Sequence, residues 1–185
     1  MFWMGIRGVA GAIMVALFAL LWLRRRKVEA IFLGLIGIPD LLNIWLREVI
    51  SRPRPTDDLV DVLIGYGGVQ GYSYPSGHSL HVLIFYGLLL YMATCYITNR
   101  SLVRALWVVG VAYMLVSGLW LIYDGRHWFT DVMWGYVYGA FYLLVLIAAY
   151  RWAKRWLGHN EVTRLAHTMP YSLRKPAERL LRLIG

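Results

Sequence analysis

Apolar runs long enough to cross a bilayer alternate with short polar breaks along most of the chain. Phe2 to Leu23 is apolar except for Arg7, and a second run covers Val28 to about Trp45. Three more follow, at about Ser79 to Ile97, Leu102 to Tyr123 and Trp128 to Tyr150. A helix needs about 20 residues to span the hydrocarbon core, so each run predicts one transmembrane helix. The first run is read as a retained span because its basic cluster, Arg24 to Lys27, follows the apolar residues instead of preceding them, and no small-residue cleavage site is evident. The expected architecture is all-α: a polytopic membrane bundle of about five transmembrane helices over residues 1–150. A basic tail, 151–185, follows, in which Pro176 to Ile184 reads as an amphipathic helix on the membrane surface.

Two places break the pattern. Pro39-Asp40 and Asn43 interrupt the second run, and Asp40, Asn43 and Arg47 fall at i, i+3 and i+7 on one helical face. Polar side chains at membrane depth face a bundle interior or a cavity. For Asp40 and Asn43 a structural hydrogen-bond network is the favoured reading. The other break runs from Arg47 to Tyr74. Pro53 and Pro55 end the helix and extend the backbone there. Residues 56–74, with Asp57, Asp58, Asp61 and several glycines, form a long loop of the kind that acts as a substrate-side flap, and Leu59 to Ile64 fits a short interfacial helix.

Composition then narrows the class. The chain is 59% hydrophobic and 16% charged, against roughly 25% charge for a soluble domain. The net charge of +9 suits nucleic acid in principle, but the Lys and Arg lie between apolar runs, where they set membrane topology, so no nucleic-acid partner is expected. The single cysteine, Cys95, excludes an intrachain disulfide. Arg24 to Lys27, Arg100, Arg104, Arg151, Lys154, Arg155 and the basic tail fall on one side of a five-span bundle; Arg7, Arg47, Arg52, Arg54 and Arg126 fall on the other. The richer side is expected to be cytoplasmic. That puts the N-terminus outside, the C-terminus inside, and Arg47 to Arg54, Ser76 to His78 and Arg126 to Asp131 together on the outer face, in a bacterial plasma membrane.

Those three segments carry the candidate chemistry. Pro75-Ser76-Gly77-His78 reads as a helix start whose unpaired N–H groups and dipole favour an anion, with a serine hydroxyl and an imidazole beside them. Taken alone, these four residues read first as an ordinary cap with a solvent-facing histidine. His127 and Asp131, at i, i+4 on a helix start, share a face, so the carboxylate can fix the imidazole tautomer and leave the other ring nitrogen as a nucleophile. The arginines around Arg47 and Arg54 suit either lipid headgroups or a phosphoryl group.

Together these residues resemble the type 2 phosphatidic acid phosphatase family, integral-membrane relatives of bacterial acid phosphatases and vanadium haloperoxidases. The family's first motif, Lys, six residues, then Arg-Pro, is matched by Arg47 and Arg54-Pro55 with Arg in place of Lys. The alternative frame, ending at Arg52-Pro53, puts Trp45 at the basic position and is rejected. The second motif, Pro-Ser-Gly-His, is matched in full by Pro75 to His78. The third is Ser-Arg, five residues, His, three residues, Asp. His127 and Asp131 match it, but Trp120-Leu121 stand where Ser-Arg belongs. The family usually has six spans and five are read here, so an N-terminal span is expected to be absent.

The resemblance implies a lipid phosphatase acting on a phosphomonoester or diphosphate: phosphatidic acid, phosphatidylglycerol phosphate or a polyprenyl diphosphate. His127 is then the nucleophile, oriented by Asp131, and His78 the general acid and base. Arg47, Arg54, Ser76 and Gly77 hold the phosphoryl oxygens, and no metal and no cofactor is implied. Arg126 is expected to supply part of the charge missing at Leu121, from a helix break at Asp124-Gly125. Pairing of Arg126 with Asp124 or a headgroup is the equal alternative. Two rival functions remain: a phosphotransferase using the same histidine, and a catalytically degenerate lipid-phosphate binder.

Overall fold

The computed structural model describes the backbone of residues 2–56 and 71–168, and the side chains of residues 11–56 and 71–158. The described residues form six helices: α1 (Phe2–Leu23), α2 (Lys27–Gly34), α3 (Gly37–Ile50), α4 (Gly77–Tyr96), α5 (Arg100–Tyr123) and α6 (Phe129–Thr168). The described residues contain no strand. Four stretches are long and apolar enough to cross a membrane: Lys27–Ile50, Gly77–Tyr96, Arg100–Tyr123 and Phe129–Gly158. With the 22-residue α1 they account for the five expected spans. The protein is an all-α integral membrane protein. Residues 57–70 of the expected flap, including its helix at residues 59–64, and the tail helix beginning at Pro176 lie outside the described residues.

The chain divides into two compact units, residues 1–147 and 148–185. In the second, the described residues continue α6, and Trp152 stacks on Trp156. The remaining structural features belong to the first.

The second span breaks one turn earlier than its polar residues suggest. Helix α2 stops at Gly34 and α3 restarts at Gly37, before Pro39. A proline removes its own N–H and crowds the carbonyl four residues back, which here belongs to Leu35. That carbonyl instead accepts from the Ile38 N–H at 3.1 Å and from the Tyr142 hydroxyl at 2.9 Å. The polar face of α3 turns toward α4: Asp40 lies 2.7 Å from Nδ1 of His81, and Asn43 is buried.

Helix α4 is central. Its apolar span is 44% buried, against 17% for α5 and 22% for α6, and its Ile84 and Leu88 are fully enclosed with Leu33 and Ile36. In lipid, helices associate through close packing and small residues more than through the hydrophobic effect. Gly135 and Gly139, spaced four apart on α6, serve that purpose. A Cβ at Gly135 would stand 2.5 Å from the Ser76 carbonyl oxygen, and one at Gly139 3.1 Å from that of Leu80. This approach seats the start of α6 against the start of α4, where the Ser76 N–H donates to the Asp131 carbonyl at 2.9 Å.

Candidate active site

The start of α4 is built by local chemistry. Ser76 is the N-cap and its hydroxyl accepts from the Ser79 N–H, a role that Ser fills because it satisfies an otherwise orphan donor. The Ser79 hydroxyl also donates to it at 3.0 Å, and Ser76 is fully buried. Pro75 therefore precedes the cap instead of occupying the first helical position. That position belongs to Gly77, whose N–H has no intrahelical acceptor. A Cβ on Gly77 would meet Asn43 Nδ2 at 2.6 Å and Arg47 Nη2 at 3.1 Å, so its absence lets the α3 face close on the helix start. Arg47 is fixed there by donating from Nε to the Pro75 carbonyl at 3.0 Å.

His127 is not on a helix. Helix α5 ends at Tyr123, Asp124 caps it, and Gly125 takes φ +66°, a left-handed turn that suits glycine. The N–H groups of Arg126 and His127 both donate to the Leu121 carbonyl, at 3.2 and 3.3 Å. Asp131 lies in the first turn of α6, where its Oδ2 accepts the Trp128 N–H at 2.9 Å. An acid at this place reaching back to the N-cap N–H is half of a capping box. The expected His–Asp pairing survives this change of backbone: His127 Nδ1 is 3.5 Å from Asp131 Oδ2. The contact is long, and Nδ1 is buried without an aligned hydrogen bond. Such contacts tighten when charge develops on the ring.

Two arginines flank this pair. Arg54 donates from Nη1 to the Arg126 carbonyl at 2.7 Å, and the same atom is 3.5 Å from His127 Nε2. Arg52 donates from Nη1 to Asp131 Oδ1 at 2.7 Å and to the Thr130 hydroxyl at 2.6 Å. Sequence reasoning missed Arg52 by discarding the frame that contains it. The signal was the Arg-Pro-Arg-Pro run: each proline extends the residue before it, and residues two apart on extended backbone point the same way. The segment is tied down from both sides. Ser73 bonds the Arg52 and Pro53 carbonyls, and Trp128 Nε1 donates to the Pro53 carbonyl at 3.0 Å.

His78 faces His127 with ring centroids 6.5 Å apart and planes at 66°. Burial, then the charges of Arg54 and Arg47, push the His127 pKa below its ordinary 6.5, and the nearby Asp131 carboxylate opposes them. The balance leaves the ring neutral, the form that has a lone pair to give. Nearby, burial and a hydrogen bond to the Tyr138 hydroxyl raise the Tyr74 pKa. Leu121, where the family motif has arginine, is buried in the core. Arg126 follows the expected break, but its Nε lies 2.5 Å from Asp124 Oδ2. This is the alternative pairing named above.

The described residues thus bring together His78, His127, Asp131, Arg47, Arg54 and Gly77, with Ser76 beneath them as a cap. Over 110 residues, 59% of its length, the chain is 28% identical to phosphatidylglycerophosphatase B of Bacillus subtilis (strain 168). It spans about half the length of that curated relative (51%). The crystal structure of a transmembrane PAP2-type phosphatidylglycerolphosphate phosphatase from Bacillus subtilis shares the fold, with a TM-score of 0.65 and 22% identity, over 76% of this chain and 68% of that one. The PAP2 superfamily model matches residues 28–155, the stretch that holds every residue of the site, and the chain belongs to the PAP2 superfamily.

Proposed function

We propose that this chain is a lipid phosphatase that cleaves a phosphomonoester or diphosphate through a phosphohistidine on His127. The observation that carries the reading is the facing pair of imidazoles, 6.5 Å apart, with an arginine at Nε2 of one ring and a carboxylate at its Nδ1. That spacing admits one phosphoryl group, with reacting atoms about 3–3.5 Å apart.

In the first step the Nε2 lone pair of His127 attacks phosphorus. The bond to the leaving oxygen breaks, and His78 gives that oxygen a proton. The positive charge that develops on the His127 ring falls beside the ionised Asp131. In the second step His78 takes a proton from water, the water oxygen bonds to phosphorus, and the P–N bond breaks to release phosphate. Arg47, Arg54 and the Gly77 N–H hold the equatorial oxygens and their growing charge. Ser76 contributes by fixing the helix start, and Arg126 adds its charge to the rim while Asp124 holds it. The lipid product is an alcohol, or a monophosphate if the substrate is a diphosphate. The curated relative's name makes phosphatidylglycerol phosphate the first candidate, with phosphatidic acid and polyprenyl diphosphate next. The site faces away from the cytoplasm, as the charge asymmetry of the loops supports, and the basic tail from residue 151 lies on the cytoplasmic side.

Phosphate release from these lipid phosphates by the purified protein tests the reading. Release from at least one supports it, and no turnover of any overturns it. Orientation is tested by impermeant thiol labelling in a Cys95→Ser background. Thr56→Cys should label from outside intact cells and Ser101→Cys should not; the reverse pattern inverts the topology.

A further inference from the structure

We propose that Arg52 is a positioning residue for the nucleophile: it aims and anchors the Asp131 carboxylate that orients His127, and does not itself touch the phosphoryl group. This rests on the assignment of His127 as nucleophile. Arg52 and Arg54 are two residues apart, yet they serve opposite edges of one imidazole. Arg54 stands at Nε2, the edge where phosphorus must bind. Arg52 stands behind, on the carboxylate that faces Nδ1.

The carboxylate needs such a partner. Asp131 is wholly buried, and a buried charge without compensation is strongly destabilising. Its two oxygens are divided: Oδ1 takes Arg52, while Oδ2 takes the Trp128 N–H and faces His127. Arg52 is locked in turn by the Thr130 hydroxyl, by its position over the Trp128 ring at 5.6 Å, and by Ser73, which bonds its carbonyl. With Oδ1 anchored, Oδ2 cannot rotate away from Nδ1. A carboxylate held at Nδ1 keeps the ring proton on that nitrogen, so Nε2 carries the free lone pair.

Other charged and titratable groups face His127 as well: Arg54 from its own segment, Arg47 from α3, His78 from α4 and Asp131 from α6. The Arg126–Asp124 pair shares its turn. Loss of Arg52 removes one positive charge from this set and leaves the carboxylate uncompensated. Both changes favour the protonated ring, so the acid limb of the pH profile moves to higher pH.

The test is a double-mutant cycle on the full chain, using a lipid phosphate that the wild type hydrolyses. Arg52→Gln should lower kcat about 10²-fold, the scale of a misoriented catalytic group, change KM by less than about threefold, and move the acid limb upward. Arg52→Lys should recover part of the loss. In an Asp131→Asn background, Arg52→Gln should add less than about threefold, since residues acting as one unit are not additive. A full additive loss, or a raised KM with kcat preserved, overturns the proposal and makes Arg52 a direct phosphate ligand. If Arg52→Gln does not fold, Arg52→Lys and Thr130→Val carry the same cycle. If the wild type turns over no lipid phosphate, the functional reading fails, but titration of 15N-histidine-labelled protein by NMR still decides this one. A His127 pKa unmoved by Arg52→Gln overturns it.

Discussion

Helix α5 begins and ends in turns built on different principles. At its start Asn99 accepts the N–H groups of Ser101 and Leu102 at 3.1 Å, local bonds on an exposed turn. At its end Asp124, Gly125 and His127 are buried, and the turn is gripped by arginines 72 to 79 positions away in sequence. The first turn only has to reverse the chain, and one side chain does it. The second must hold a neutral imidazole between a carboxylate and a cation, which no short stretch of sequence supplies. Local turns can be changed cheaply, whereas each partner in the distant set acts through the others.

The contrast is sharpest at the ring itself. His127→Ala should abolish turnover, a loss of about 10⁴-fold or more, while the protein remains folded by thermal melting and size-exclusion chromatography; His78→Ala should cost about 10²- to 10⁴-fold. Wild-type rates in either variant would remove the distinction between the two turns. Next in size is Gly135. A methyl group there meets the Ser76 carbonyl at 2.5 Å, backbone that cannot simply rotate aside. Gly135→Ala should therefore push the start of α4 from α6 and lower kcat by about tenfold or more along with the melting temperature, the sensitivity expected when a catalytic group is displaced. A variant with unchanged rate would show that the site does not depend on this approach.

Acidity gives a smaller effect with a definite sign. The His127 pKa is pushed below 6.5 in the folded protein, so the proposed nucleophile should stay neutral somewhat below that pH and the acid limb of kcat/KM should fall under 6.5. Arg54→Gln should move that limb upward. For stability, the unfolded chain binds a proton between the folded pKa and about 6.5 that the folded ring does not. Stability should therefore fall as pH drops through that window, in melting curves recorded from pH 7 to 5. The smallest effect belongs to the other turn: Asn99→Ala should cost about 1 kcal/mol of stability and leave kcat unchanged.

What the sequence made legible follows the same division. Apolar runs showed where helices cross, because backbone in lipid must satisfy itself within a helix. The second span's break is displaced because a proline acts on the carbonyl one turn back, and Leu35, not Asp40, marks the place. The second motif was readable because its residues are neighbours. His127 and Asp131 were found by spacing, but their shared helix face was a misreading: Asp131 reaches back as a cap to a residue outside the helix. Arg52 and His81 were missed for one reason. Their partners, Asp131 and Asp40, are 79 and 41 positions away, and only the folded bundle brings them together.

The central claim is that His127 carries the phosphoryl group. Rapid alkaline quenching of the enzyme with lipid substrate labelled on its terminal phosphate, followed by peptide mapping at alkaline pH, measures this directly. The account predicts a base-stable, acid-labile label on the peptide containing His127, absent from His127→Ala and accumulating in His78→Ala, where release to water is slowed. A label on another residue, or steady turnover by His127→Ala, would contradict it.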